Sequence, residues 1–151
     1  MKRNRKIGSI TPALTNTTKT TVRFSEVDSM QVVWHGEYVR YFEDGREAFG
    51  RKYPGIGYLD FYAYGYTAPI VDLQLQYVAP LTVNDVAIIE TRLIDTAAAK
   101  LCFEYIIHRE RDGALVARGS SVQVFVDSDG NMCLNNPTFF VECKRRWLTE
   151  Q

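Results

Sequence analysis

The alternation of polar and apolar positions changes period once along this chain. From Thr17 to Glu26 the run TTKTTVRFSE is rich in Thr and sets Val22 and Phe24 on one side of a pleat, which predicts a first strand. Tyr38, Tyr41, Phe42, Gly45, Ala48 and Phe49 then recur at spacings of three and four and lead to Tyr53, with Glu37, Arg40, Glu43, Asp44, Glu47 and Arg51 falling elsewhere. That pattern predicts one amphipathic helix, ended by Pro54-Gly55. Downstream the period drops to two: Val71, Leu73, Leu75 and Tyr77 alternate with Asp72, Gln74 and Gln76. Three more β-branched or aromatic stretches follow at 86–94, 101–109 and 116–126. Asp112-Gly113 predicts a tight hairpin between the last two, and the short links at 79–84 and 95–99 predict further antiparallel neighbours. Asn136 and Pro137 open a terminal helix carrying Phe140, Cys143 and Trp147 on one face.

The expected order is strand, long helix, four-strand meander and short helix. This is an α+β architecture in which a curved antiparallel sheet covers the apolar face of one helix. Apolar residues left on an outer strand face predict burial in a partner subunit, hence at least a homodimer. Gly45 and Gly50 fall inside the helical pattern, where each costs about 1 kcal/mol relative to Ala. Gly45 is either a weak spot or a place where the sheet presses too close for a side chain.

Composition narrows the function classes. A length of 151 residues fits one domain, read as a flexible entry over 1–15 and a folded unit over 16–151. With 18 Lys+Arg against 18 Asp+Glu there is no long-range field to gather nucleic acid, and Lys2, Arg3, Arg5 and Lys6 read as a solvated tail. No window approaches the ~18 continuous apolar residues of a membrane helix, so a membrane partner is not expected. Cys102, Cys133 and Cys143 lack CxxC spacing, which argues against both zinc and a disulfide framework and for reduced thiols in a cytoplasm.

The chemistry-bearing segment is SEVDSMQVVWHGEYVRYFED, residues 25–44. Asp28 lies in a link that ends at a helix N-terminus near His35 and Gly36. Taken alone, such an Asp folds its carboxylate onto nearby backbone N–H groups and shapes a turn. A helix N-terminus also offers unpaired N–H donors and partial positive charge to an oxyanion developing on a carbonyl. Tyr38, Phe42 and Tyr66 are either acyl-pocket walls or plain core aromatics. Glu43, Glu47, Arg46 and Arg51 sit at ion-pairing helical spacings, and His108 has no partner at metal-ligand spacing.

The stretch VRFSEVDSMQVVWHGEYVRYFEDGREAF, Val22 to Phe49, resembles the hotdog-fold acyl-CoA thioesterases of the 4-hydroxybenzoyl-CoA thioesterase and YbgC-like type. Support comes from QYVAPLTVNDVAIIETRL, residues 76–93, with its Tyr-x-x-Pro and Asp positions. The resemblance implies hydrolysis of an acyl-CoA or acyl carrier protein thioester. Asp28 matches the catalytic aspartate, as nucleophile or general base, and His35 matches the position whose backbone N–H polarises the carbonyl. Gln31 stands where many members carry Gly, so its turn must accept a side chain, whose amide is then a candidate substrate contact together with Trp34. Lys100, at the start of a meander strand, is a candidate for the coenzyme A phosphates. No metal or separate cofactor is implied, coenzyme A being part of the substrate. A homodimer or tetramer is implied, and a protein that binds acyl thioesters without hydrolysing them is the competing class.

Overall fold

The structure, a computed structural model, describes residues 12–149. Its elements are β1 (Leu14–Thr21), a 3-10 turn at Phe24–Glu26, α1 (Glu37–Lys52), α2 (Tyr58–Ala63), β2 (Ile70–Tyr77), β3 (Val86–Ile94), β4 (Lys100–Arg109), β5 (Leu115–Val124) and α3 (Thr138–Thr149). The strands form a five-stranded sheet in the order β1-β3-β4-β5-β2, with antiparallel pairing throughout.

The long helix lies on this sheet through the residues its period marks out. Tyr38, Tyr41, Phe42, Gly45 and Phe49 are all buried. Phe42 stacks on Tyr105 of β4 at 4.3 Å between ring centres, and Phe49 meets Phe103 edge-on at 5.2 Å. Close approach, not a weak spot, explains Gly45: a Cβ there would come within 2.4 Å of Thr91 Oγ1 and 2.9 Å of Ile89 Cγ2, both on β3. The α+β arrangement of a curved sheet around one helix is therefore present.

Three expectations change. The first strand runs from Leu14 to Thr21, not from Thr17 to Glu26, so its start falls inside the segment read as tail; residues 1–11 lie outside the described residues. Phe24 sits in the 3-10 turn and is 82% exposed, while Val22 keeps its place in the core. The four later strands are not one meander either. β2 pairs with β5 and β1 takes the free edge of β3, so the link at 79–84 crosses the sheet. Eight residues of extended chain span roughly 26 Å, ample for three inter-strand gaps of ~4.8 Å, so a short link did not require adjacency. This crossing carries Leu81, fully buried, under the loop that precedes α1. Finally, α2 is an additional element of one and a half turns, too short to show a period in the sequence.

The Asp112-Gly113 turn between β4 and β5 and the terminal helix match their patterns, with Gly113 at φ 72°. In α3, Phe140 is buried, and the Trp147 indole donates to the Pro54 carbonyl at 2.9 Å.

Candidate active site

The link between β1 and α1 is a small hairpin rather than a loose loop. The Trp34 N–H donates to the Glu26 carbonyl, the Asp28 N–H donates to the Val32 carbonyl, and Val27 bridges Val33 between them. The turn closes with the Gln31 N–H on the Asp28 carbonyl at 2.9 Å. Gln31 takes φ 64°, the left-handed conformation in which glycine is the usual residue. Its side chain is exposed, so the backbone cost of about 1–2 kcal/mol is not compounded by a clash. The Val33 N–H donates to the Leu81 carbonyl at 2.8 Å and fixes the hairpin to the crossing link.

At the tip, Asp28 Oδ1 accepts the Met30 N–H at 2.8 Å, so the carboxylate does shape its own turn. Oδ2 has no hydrogen-bond partner among the described residues. Asp28 stands two residues beyond the Glu26–Trp34 rung, roughly 7 Å along the hairpin at about 3.3 Å per residue. Below the same rung the chain enters α1. The Glu37 N–H donates to the Trp34 carbonyl at 2.9 Å, and Gly36 is the N-cap with no side-chain cap. The Trp34 indole lies across Gly36 where a Cβ would stand, so a side chain at this position would have to turn that ring aside. His35 is exposed with its ring centre 5.0 Å from that of Trp34, while its carbonyl accepts the Tyr77 phenol at 2.6 Å.

Asp28, Gln31, Trp34 and His35 thus lie on one hairpin that leads into α1, with Tyr38 in the first turn of the helix. Tyr38 is buried against Tyr77 and Tyr41, and burial pushes its phenol pKa up. The other residues singled out as substrate contacts are not brought there within one chain. Phe42 is shut in the core against Tyr105, whose own phenol burial pushes up to about 12. Tyr66 packs on Phe139, and Lys100 pairs with Val124, which places it beside the Ile70 end of β2. Tyr77, at the other end of β2, lies roughly 23 Å away along the strand.

A feature the sequence reading missed is a cavity of about 860 Å³ on the flank of α1, walled by Ile56, Phe61, Ala68 and Phe103. Its polar side is Glu43, Arg46, Glu47, Arg51, Asp60 and Gln123; Arg46 donates to Gln123 Oε1 at 3.0 Å and pairs with Glu43, while Gln123 donates to the Ala68 carbonyl at 2.7 Å. The only signal in the chain was a Gln on the inward face of an apolar strand. The Glu43–Arg46 and Glu47–Arg51 ion pairs are both formed. The three cysteines are free, and no cluster of metal-ligating side chains occurs among the described residues. No described helix is long and apolar enough to cross a membrane.

Residues 22–144 match the family described as the thioesterase-like superfamily. The chain belongs to that superfamily. It is a hotdog-fold thioesterase. A Bacillus subtilis protein provisionally named acyl-CoA thioesterase YneP is 31% identical over 108 residues, covering 72% of this chain and 77% of its own length. The solved structure of a hypothetical protein from Thermus thermophilus is 28% identical with a TM-score of 0.76, covering 87% of this chain and 98% of the other. At 20% identity the fold is shared with 4-hydroxybenzoyl-CoA thioesterase, solved as an aspartate-to-asparagine variant in complex with 4-hydroxybenzoyl-CoA, with a TM-score of 0.74 and coverage of 85% and 97%.

Proposed function

We propose that this thioesterase hydrolyses acyl-CoA thioesters to the free acid and coenzyme A, with Asp28 as the carboxylate and the mouth of α1 as the oxyanion site. The observation that carries the reading is the Glu26–Trp34 rung, which ties the Asp28 hairpin and the entrance of α1 into one unit. A thioester carbonyl held at the uncapped helix entrance meets backbone N–H donors and the positive end of the helix dipole. Asp28 then takes a proton from an attacking water, or attacks the carbonyl itself to give a mixed anhydride that water opens. The thiolate leaves without strong acid assistance because it is a far weaker base than an alkoxide. The provisional name of the Bacillus relative supports coenzyme A as the carrier.

In this reading the working unit is a dimer. Val71, Leu73 and Tyr77 are 60%, 42% and 49% exposed on β2, an edge strand in the described sheet. A second copy paired antiparallel along β2 buries them and sets its Ile70 end, with the cavity beside α1, next to the Tyr77 end and Asp28 of the first. The acyl group then enters the partner's cavity and the thioester stays at the helix mouth.

The test is thiol release from a panel of short, long and aromatic acyl-CoAs by the wild-type protein. Release from at least one class supports the proposal. Tight binding of acyl-CoAs with no thiol released from any of them supports an acyl-thioester binding protein instead.

A further inference from the structure

We propose that Tyr77 is a positioning residue for the oxyanion site, aiming and strengthening the Gly36 N–H through the peptide that joins His35 to Gly36. This rests on the reading of the α1 mouth given above and adds a second donor beside the His35 N–H, which likewise has no hydrogen-bond partner among the described residues.

Tyr77 ends β2, and its hydroxyl donates to the His35 carbonyl at 2.6 Å, near the short end of the range for O–H···O bonds. The peptide beyond that carbonyl is planar and trans, so its C=O and N–H point in opposite directions. Fixing the His35 oxygen on one side therefore fixes the direction of the Gly36 N–H on the other. A carbonyl that accepts a hydrogen bond also polarises its peptide and makes the N–H a stronger donor.

The neighbouring groups leave that N–H free for a substrate. At the entrance of α1 the Glu37 N–H is already given to the Trp34 carbonyl, whereas the Gly36 N–H has no hydrogen-bond partner among the described residues. The Trp34 indole lies against the Cα of Gly36 on the side a Cβ would occupy. Tyr77 is itself held in place: its ring meets the buried Tyr38 edge-on with centres 5.1 Å apart. Desolvation pushes its phenol pKa up, so the hydroxyl keeps the proton it donates. The resemblance noted from sequence pointed to the His35 N–H; the Tyr77 contact acts on the next peptide along.

The test compares Tyr77→Phe with wild type in kinetics and in the infrared spectrum of a bound acyl-CoA labelled with ¹³C at the thioester carbonyl. Spectra are taken in an Asp28→Asn background so that the substrate survives. The expected result is a fall in kcat of about tenfold with KM changed by less than about twofold, a fraction of the loss seen when an oxyanion donor is removed outright. The carbonyl stretch, lowered on binding when Tyr77 is present, should return toward its solution value in Tyr77→Phe. An unchanged kcat with an unchanged stretch overturns the proposal, as does a fall in kcat and thermal stability together with the stretch unmoved, which marks a merely structural tether. If the bound carbonyl with Tyr77 intact absorbs where free acyl-CoA does, the oxyanion reading beneath the proposal fails first.

Discussion

The Trp34 N–H donates to the Glu26 carbonyl at 2.9 Å, and the Glu26 side chain holds the same corner from the other side. Its Oε1 accepts the Arg23 N–H at 2.8 Å and the Tyr41 hydroxyl at 3.2 Å, with the side chain buried. Removing the acceptor by Glu26→Leu strands the buried Tyr41 phenol and leaves the part-buried Arg23 N–H unpaired, and is expected to cost about 1–3 kcal/mol in urea unfolding. Tyr41→Phe should cost about 1 kcal/mol. Because the corner carries Asp28, Glu26→Leu should also lower kcat in whatever fraction remains folded. Equal urea midpoints for Glu26→Leu and wild type contradict this role.

Gly45 is a place where helix propensity and packing oppose each other. Gly45→Ala gains about 1 kcal/mol of intrinsic helix preference, but the new methyl must displace Thr91 Oγ1 and Ile89 Cγ2 on β3. Overpacking of this kind costs about 1–3 kcal/mol, so net destabilisation is expected, with partial rescue by Thr91→Ala. Calorimetric midpoints of the two single variants and the double variant decide it. A Gly45→Ala midpoint above that of wild type means the helix can lift from the sheet at no cost.

What was legible in the chain was what local physics controls. The face of α1 could be read because burial against the sheet repeats with the helical period, and Phe42, Gly45 and Phe49 all lie where that period puts them. The start of β1 could not, since LTNTT buries only Leu14 and offers no apolar alternation. The partner of β2 was hidden because link length bounds reach but does not choose between edges. At the site, the departure from Gly at Gln31 flagged a left-handed turn that the backbone does contain. The cavity wall of Arg46 and Gln123 joins positions 77 apart in the chain, a contact that only the closed sheet creates.

Acid stability should depend on two carboxylates near the β3–β5 end of the molecule. Burial alone would push Asp85 up, but the Thr82 backbone N–H, the Arg111 guanidinium and the Thr82 hydroxyl outweigh it and hold it below the usual carboxylate range. Hydrogen bonds from Arg109 bring Asp112 down to about 2. A carboxyl whose folded pKa is depressed stabilises the protein above its unfolded value of about 4 and loses that contribution as pH falls through the folded value. The thermal midpoint should therefore drop from about pH 4 toward pH 2, and Asp85→Asn should lower it at neutral pH while flattening the acid slope. An Asp85→Asn profile parallel to that of wild type refutes the assignment.

Self-association along β2 can be broken from its edge. A charge among the exposed apolar residues of an edge strand opposes strand pairing, so Leu73→Lys should shift sedimentation toward monomer at micromolar concentration and abolish turnover although Asp28 is untouched. A wild-type protein that sediments as a monomer and is fully active removes the composite site.

The central claim is that the Asp28 carboxylate supplies the chemistry at the mouth of α1. Its most direct test is single-turnover thiol release by Asp28→Asn, measured on the best substrate of the acyl-CoA panel with the fold checked by circular dichroism. The expected result is unchanged acyl-CoA affinity with release slowed by at least about a hundredfold, the scale of a positioned acid–base group. Release at the wild-type rate from a folded Asp28→Asn protein contradicts the account.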